Sequence, residues 1–404
     1  MPINMIKTKH FAHLLISSVA IIITLCGGSN GKEDKRINAN EPAVPSSIMD
    51  IIKLYPKNDK YSLEEVILIS FGEGYGISSH IGYKCLNHKI PFDANGHKLD
   101  DFKDMGFSGF CAVKYKDSIF QKEILFHIAK FEGKFNPKEV LEKLFSNKEF
   151  DKQMFSEFTD YKYNANPTRD LMVTCCQSFS KTRIKDSKKE QKPIELDNGR
   201  LIGYKVTNQP QDKEYENYYI LTDKEGQYLY MVKSTKENDN ELIEFISQIG
   251  KTQGLLDNDD FYNSFYTIPD HIVSNQKMTA YCLRKADKSD LGREPKTDLD
   301  KRIIGKWVTE VFFANSTGHF WDYELFDLNS KKDSKLTYKL LKENVKIKKT
   351  ERGIYGESGF YTSEFIVFPY DNYFVFSFYD QSVSISEATK RLEMIQLKRG
   401  GYKK

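Results

Sequence analysis

The stretch YYILTDKEGQYLYMV, residues 218–232, decides the fold class, because two apolar runs flank a short polar turn. Runs of this kind around Asp223-Lys224-Glu225-Gly226 predict a β-hairpin. Asn238 and Glu241 then form a capping pair that predicts a helix ending at Gly250. The apolar face of this helix consists of Leu242, Phe245, Ile246 and Ile249. A hairpin followed by such a helix predicts an antiparallel sheet with a helix on one face.

The same order of elements is predicted earlier in the chain. Residues 108–132 form a second hairpin pattern that turns near Lys116-Asp117, and Asn136-Pro137 has the cap and first-turn proline of a helix start. Ser62 and Glu65 form a capping box, which predicts a further helix over the apolar residues that follow. The two regions therefore share the order of hairpin and helix, but they show no convincing residue identity.

The last hundred residues are predicted to be nearly all strand, after a charged linker without periodicity. Short alternating runs separated by turns predict a small up-and-down barrel. These runs are KWVTEVFF, FWDYELFDL, KLTYKLL, NVKIKK, TSEFIVF, YFVFSFYD and RLEMIQLK. We therefore expect an α+β protein with two antiparallel sheet-plus-helix modules followed by a small C-terminal antiparallel β-barrel. The expected divisions are a signal peptide (1–25), a tether (26–48), two modules (49–165 and 166–283), a linker (284–300) and the barrel (301–404).

The start of the predicted barrel resembles a known family. IIGKWVTE, residues 303–310, is similar to the Gly-x-Trp opening of lipocalin-like domains, and MIQLKRG is in keeping with the ending of that family. The resemblance implies that Gly305 permits close backbone approach and that Trp307 plugs the closed end of the barrel. It also implies a barrel mouth able to hold a small apolar ligand, although side chains can equally fill the interior of so small a barrel.

The N-terminus carries an export pattern. Lys7 and Lys9 precede an apolar run over residues 11–25, which is short for a membrane span and has the length of a secretory signal. Ile23-Thr24-Leu25-Cys26-Gly27 resembles a bacterial lipobox, in which the cysteine is linked to diacylglycerol and becomes the first residue. Leu25 departs from the small residue that usually precedes the cysteine. A signal cut elsewhere and an uncleaved anchor remain the alternatives.

The resemblance to lipoproteins implies an address in the bacterial cell envelope, with the membrane as partner. Lys32-Glu33-Asp34 resembles a signal that sends some lipoproteins to the outer face of the outer membrane, although it lies further from the cysteine than that signal usually does. We therefore favour the outer membrane and leave the leaflet open. The leader contains two lysines and no acid, so its removal lowers the formal net charge of +3 by two. A nearly neutral chain has no general electrostatic attraction for nucleic acid.

The cysteines beyond the lipobox are few and odd in number, so in an oxidising compartment at least one stays free. The pairing to test first is Cys85 with Cys111, since both fall in one predicted module. The remaining three are Cys175, Cys176 and Cys282.

Soft metal ligands are densest in the first module. Cys85-x-x-His88 can chelate zinc, with His80 and His97 nearby, but the other spacings match no established zinc pattern. We therefore predict no metal site and no cofactor, and keep these four residues as weak candidates.

Other catalytic patterns are incomplete. Residues 106–110 and 356–360 each have phenylalanine where a nucleophile elbow requires glycine. The glycines of FGEGYG, residues 71–76, follow a predicted helix instead of preceding one, so we expect a turn there and not a phosphate loop. No catalytic residue is predicted.

Two basic stretches, 181–192 and 331–352, have both a structural and a binding interpretation. In the second, Lys346 and Lys348 alternate with apolar residues, which places the charges on the outer face of a strand. Such a face protects a sheet edge or is simply solvated. The binding interpretation is that these lysines contact anionic lipid headgroups or acidic glycans.

Together these patterns favour an envelope lipoprotein with a non-enzymatic binding or scaffolding role, holding a small apolar ligand or an envelope protein. The alternative is an exported enzyme whose site is assembled from distant residues such as His80, His88 and His97. If these histidines bind a metal, such an enzyme would be metal-dependent.

Overall fold

The computed structural model divides into two compact units, Pro45–Tyr262 and Asn263–Lys404, the second of which also includes the residues up to Val44. The structure describes residues 41–57, 59–70, 107–117, 123–132, 191–207, 217–234, 239–273, 275–287, 297–314, 320–344, 351–354, 357–361, 365–378 and 383–397.

The Pro45–Tyr262 unit is built on seven described antiparallel strands in the order β1-β2-β3-β7-β6-β5-β4. Its elements are α1 (Ser46–Ile52), β1 (Ser62–Ser70), β2 (Phe107–Lys116), β3 (Glu123–Phe131), β4 (Gln191–Leu196), β5 (Leu201–Thr207), β6 (Asn217–Asp223), β7 (Tyr228–Ser234) and α2 (Asp239–Ser247). A further helix, α3 (Asp259–Phe265), contains the division between the units.

Helices cover one face of this sheet. Gly109 of β2 lets α1 approach, because a Cβ there would lie 2.9 Å from the Ile51 Cδ1 atom. Phe245 of α2 packs edge-on against Tyr115 and Phe126 on the same face. The opposite face of the central strands is buried as well, as His127 shows. Burial on both faces explains why the central strands are apolar in nearly every position.

The segment after α1 is fixed to the segment after α2 by backbone contacts. The Gly250 amide donates to the Leu54 carbonyl at 2.9 Å, and the Gly254 amide donates to the Tyr55 carbonyl at 2.9 Å. The Lys57 amide donates to the Thr252 hydroxyl at 2.7 Å. These bonds satisfy backbone groups of both segments that lie outside helices and strands.

The second unit has seven described antiparallel strands in the order β11-β12-β13-β14-β10-β9-β8. Its elements are β8 (Lys277–Lys285), α4 (Asp298–Ile303), β9 (Trp307–Ala314), β10 (Phe320–Asp327), α5 (Lys331–Asn344), β11 (Glu351–Ile354), β12 (Glu357–Tyr361), β13 (Phe365–Tyr370), β14 (Tyr373–Phe378) and α6 (Ile385–Glu393). A core that includes Val308, Phe326 and Phe374 lies between this sheet and α5, whose Tyr338 packs against it.

The prediction of a small C-terminal barrel is wrong. A barrel over 301–404 requires the first and last strands of that region to pair, but β9 pairs with β8, whose residues lie before 301. At the other end of the order, β11 has only β12 as a neighbour among the described strands. The sheet is open, so Trp307 plugs no barrel end. The closed barrel that the resemblance to lipocalin-like domains implied is therefore wrong.

The prediction of two separate sheet-plus-helix modules is also wrong. β3, from the first predicted module, pairs along its length with β7, from the second, with Phe126 opposite Val232. One continuous sheet therefore includes strands of both predicted modules. Helices are few in the described residues, where large antiparallel sheets predominate.

Local predictions had mixed outcomes. Both hairpins are confirmed, with Lys116 opposite Glu123 in one and Thr222 opposite Leu229 in the other. The helix predicted from the Ser62–Glu65 capping box is wrong, since those residues begin strand β1. The strands predicted for KLTYKLL and RLEMIQLK are both wrong. KLTYKLL lies within helix α5, and the first three residues of RLEMIQLK are the last three residues of helix α6. The helix start at Asn136 lies outside the described residues.

The last residues of the predicted tether, 41–48, are part of the described structure. Pro42 forms a bridge with His271, and the Met278 amide donates to the Ala43 carbonyl at 2.9 Å. Residues 1–40 lie outside the described part. Among the described helices, none has the length and apolar character to cross a membrane.

Replacing Gly254 tests the contact between the two loop segments. A Cβ on Gly254 would lie 2.2 Å from the Lys57 Cα and N atoms, so we expect Gly254→Ala to lower the free energy of unfolding by about 1–3 kcal/mol. Gly305→Asn is the control, because the Cβ position of Gly305 has open space and asparagine tolerates its φ of 75°. Denaturant unfolding measures both, and a Gly254→Ala protein as stable as the wild type would contradict the close approach.

Candidate functional site

The candidate residues from the sequence fall mostly outside the described structure. Cys26 and the weak metal candidates, which are His80, Cys85, His88 and His97, are not among the described residues. Within the described ranges, no three histidine, cysteine or acidic side chains are placed to hold a metal ion.

The Gly-Phe-Ser-Gly stretch at 106–109 has a structural role where it is described. Ser108 lies in β2, where its carbonyl accepts a hydrogen bond from the Ser47 hydroxyl at 3.1 Å. Its own hydroxyl donates to the Lys130 carbonyl at 3.5 Å. The Ser47 bond and the contact of Gly109 with α1 join the helix to the sheet, while the Ser108 hydroxyl joins β2 to β3.

Cys111 is a free, buried thiol, so it does not form the bond with Cys85 that the sequence suggested testing first. The Tyr55 hydroxyl, also buried, lies between the carbonyls of Cys111 and Phe126 at 2.8 and 3.1 Å. Burial raises the pKa of the Cys111 thiol, while a hydrogen bond with Tyr55 acts in the opposite direction. A neutral buried thiol is a poor nucleophile, so Cys111 contributes to packing.

Cys282 is disulfide-bonded, and its partner lies outside the described residues. It occupies the middle of β8 and is buried. The strand register places it opposite Glu310 of β9.

A charged row continues from Cys282 across the second sheet. Glu310 of β9 lies opposite Glu324 of β10, and both accompany Cys282 on one face. Arg284 donates to the Glu310 carboxylate at 2.8 Å, and the two side chains are only 12% and 18% exposed. The guanidinium of Arg284 therefore offsets part of the negative charge that the two neighbouring carboxylates place on this face.

Hydroxyl groups fill the opposite side of the same sheet, beneath α3. The Ser264 hydroxyl is hydrogen-bonded to the Tyr281 hydroxyl at 2.8 Å and to the Thr309 hydroxyl at 2.5 Å. The Thr267 hydroxyl lies 3.0 Å from the Tyr323 hydroxyl. All five side chains are buried, and the network joins α3 to three strands. No sequence pattern predicts this network, because isolated serines and threonines among apolar residues are common.

Helix α5 presents a basic face to solvent. Its four exposed lysines, which we call the basic face, are Lys331, Lys332, Lys335 and Lys339. On the inner side, the Ser334 hydroxyl donates to the Tyr373 carbonyl of β14 at 2.5 Å, and Thr337 is buried. The helix begins after Ser330, whose hydroxyl accepts from the Asp333 amide at 3.1 Å. Lys346 and Lys348, which were predicted to lie on an outer strand face, are outside the described residues, whereas residues 331–344 of the same basic stretch are helical.

Cations surround the first turn of α5. Asp333 accepts from the Ser330 hydroxyl at 2.6 Å and pairs with Arg302 of α4. The Ser330 bond, followed by the nearby charges of Arg302 and Lys306, lowers the pKa of the Asp333 carboxyl. The carboxylate is thus ionised at neutral pH and neutralises part of the charge at this end of the helix.

No protein-family model matches the chain, and no curated protein matches it significantly.

The burial of Cys111 predicts a specific pH dependence. In the folded protein the thiol stays neutral above its ordinary pKa of 9.0, whereas in the unfolded chain it ionises, so the unfolded state binds fewer protons. Stability should therefore fall as the pH rises, by about 1.4 kcal/mol per pH unit from this group. Chemical denaturation of the wild type and Cys111→Ala at several pH values above 9 isolates this contribution, because other groups titrate in both proteins. Parallel curves for the two would contradict a neutral buried thiol.

The disulfide at Cys282 predicts different chemistry for the two described cysteines. After alkylation of the unfolded protein without reductant, the Cys282 peptide should be crosslinked to another cysteine peptide and the Cys111 peptide should be alkylated. Cys282→Ala should lower the free energy of unfolding by about 2–5 kcal/mol, which is typical for removal of a native disulfide. Peptide mass spectrometry and denaturant unfolding measure the two effects. An alkylated Cys282 in protein from its native compartment would contradict the bond.

Proposed function

We propose that this chain is an exported protein, held at a bacterial cell envelope by a lipid on Cys26, with a non-enzymatic binding or scaffolding role. The lipobox-like residues 23–27, after a short apolar run, support the lipid attachment. Two or three acyl chains hold a protein firmly at a membrane, whereas one chain binds only weakly.

The single observation that carries the proposed address is the disulfide at Cys282. Disulfides persist in oxidising compartments and are rare where thiols are kept reduced. A buried bridge in the middle of β8 fits a protein that folds after export. The free Cys111 is compatible with the same compartment, because its burial protects it from oxidation.

The binding role is supported by the surface of the second unit. The basic face of α5 is exposed and held in one orientation, which suits contact with a large anionic partner. The small apolar ligand implied by a barrel mouth is not part of this proposal, because the described strands form open sheets.

Labelling cells with an alkyne fatty acid tests the proposed function. We expect the wild-type protein to incorporate the label and its intact mass to lack residues 1–25 and include a diacylglyceryl group. Cys26→Ala should abolish both changes, while Cys85→Ala should retain them as the matched control. A native protein that starts at Met1 and fractionates with soluble cytosol would falsify the proposed address. Cleavage without label would instead indicate an ordinary secreted protein, and retention of residues 1–25 in membranes an uncleaved anchor.

A further inference from the structure

The basic face of α5 forms a continuous line of charge. Lys331, Lys335 and Lys339 are spaced by four residues, which places them on one side of a helix over about 12 Å. Lys332 lies beside the first of them, and all four are exposed. The charge is therefore concentrated on one side of a single helix.

The orientation of this face is fixed by the opposite side of the helix. Ser334 bonds to the β14 backbone, and Tyr338 packs against the core cluster of Phe326, Phe374 and their neighbours. Because these contacts hold the inner side against the sheet, α5 cannot rotate its lysines away from solvent without losing them. The basic face is thus presented as a rigid surface.

Neighbouring residues add further positive charge. Arg302 of α4 and Lys306 lie close to the first turn of α5, since both charges act on Asp333, and Lys301 precedes Arg302 in α4. Asp333 pairs with Arg302. Asp298 lies 3.9 Å from Lys301, but both side chains are largely exposed, so this pair is weak.

The lipid anchor would keep this face close to a membrane. Glu41 is tied to the same unit as α5, because its carbonyl accepts from the Ile272 amide at 2.9 Å. The chain from Cys26 to Glu41 spans at most about 50 Å even when fully extended. Tethering at that distance raises the local concentration of the bilayer around the unit.

We infer that the basic face of α5 docks on the anionic phospholipid headgroups of the membrane that holds the protein. This inference rests on the proposed lipid anchor and specifies which surface of the protein meets the bilayer. Lysines near an anionic surface strengthen membrane binding by roughly fivefold each, and the effect weakens with salt. An acidic glycan would offer similar charge, but no tether would hold it beside this helix.

Lysine footprinting on the reconstituted full-length mature protein tests the inference. The intact mass is measured first, to establish that the protein is acylated. The protein is then reconstituted into vesicles of phosphatidylcholine alone or with about a third phosphatidylglycerol, and exposed to an amine-acetylating reagent. We expect the basic-face lysines to react at least about threefold more slowly on the anionic vesicles at about 0.15 M salt, and to lose this protection at about 1 M salt.

Exposed lysines elsewhere in the same molecule provide the internal control. Their acetylation should not depend on the vesicle composition. These control lysines are Lys53, Lys192, Lys224 and Lys390.

Two charge-matched variants show whether the basic face causes the docking. In one, the four basic-face lysines are replaced by glutamine; in the other, the four control lysines are replaced. Lys306 then reports on the membrane contact, and its protection should be lost only in the first variant. Circular dichroism and thermal unfolding confirm that both variants are folded.

The possible outcomes separate this inference from the proposed function. An unacylated native protein would refute the lipid anchor and with it the docking. An acylated protein whose basic face reacts equally on both kinds of vesicle, or whose two variants behave alike, would overturn the docking alone. Protection by a soluble acidic polysaccharide but not by anionic vesicles would overturn it in favour of a glycan partner.

Discussion

The sheet of the Pro45–Tyr262 unit depends on the pairing of β3 with β7. The residues in these two strands are about a hundred positions apart in the chain, yet they pair in continuous register from Ile124 opposite Ser234 to Lys130 opposite Tyr228. Each strand also belongs to a hairpin, β2–β3 or β6–β7. The pairing therefore joins two locally formed units into one sheet and satisfies backbone groups that each hairpin alone would expose at its edge.

Once the hairpins are joined, the helices have one continuous face to cover. Phe245 of α2 reaches across to Tyr115 and Phe126 on the other hairpin, while Tyr55 bonds to the carbonyls of Cys111 and Phe126. Both contacts need β2 and β3 in their final position beside β7. The buried thiol of Cys111 is a consequence of this covering layer, which explains why it is neutral and unpaired.

The second unit separates its polar groups by face. Hydroxyls beneath α3 bond to one another, while the charged row of Arg284, Glu310 and Glu324 lies on the other face. Helix α5 covers part of that second face with its apolar side and leaves its lysines outside. This arrangement suits a protein that acts through its surface. The buried polar groups fix the packing, and the lysines of α5 lie on the surface.

The sequence by itself determined the features that depend on neighbouring residues. The turn at Asp223 was predictable because its carboxylate accepts from the Gln227 and Tyr228 amides, and Gly226 takes a φ of 71°. The face of α2 was predictable from helical spacing, and Leu242, Phe245, Ile246 and Ile249 are buried. The tertiary structure alone decided which strands pair beyond the hairpins, such as β3 with β7, because every strand edge offers the same amides and carbonyls. It also decided that Val66–Ile69 form a buried strand, despite the capping box at Ser62 and Glu65. In the same way it decided that Cys111 stays free and that the hydroxyls under α3 bond to one another. Each of these outcomes depends on residues that are distant in the chain.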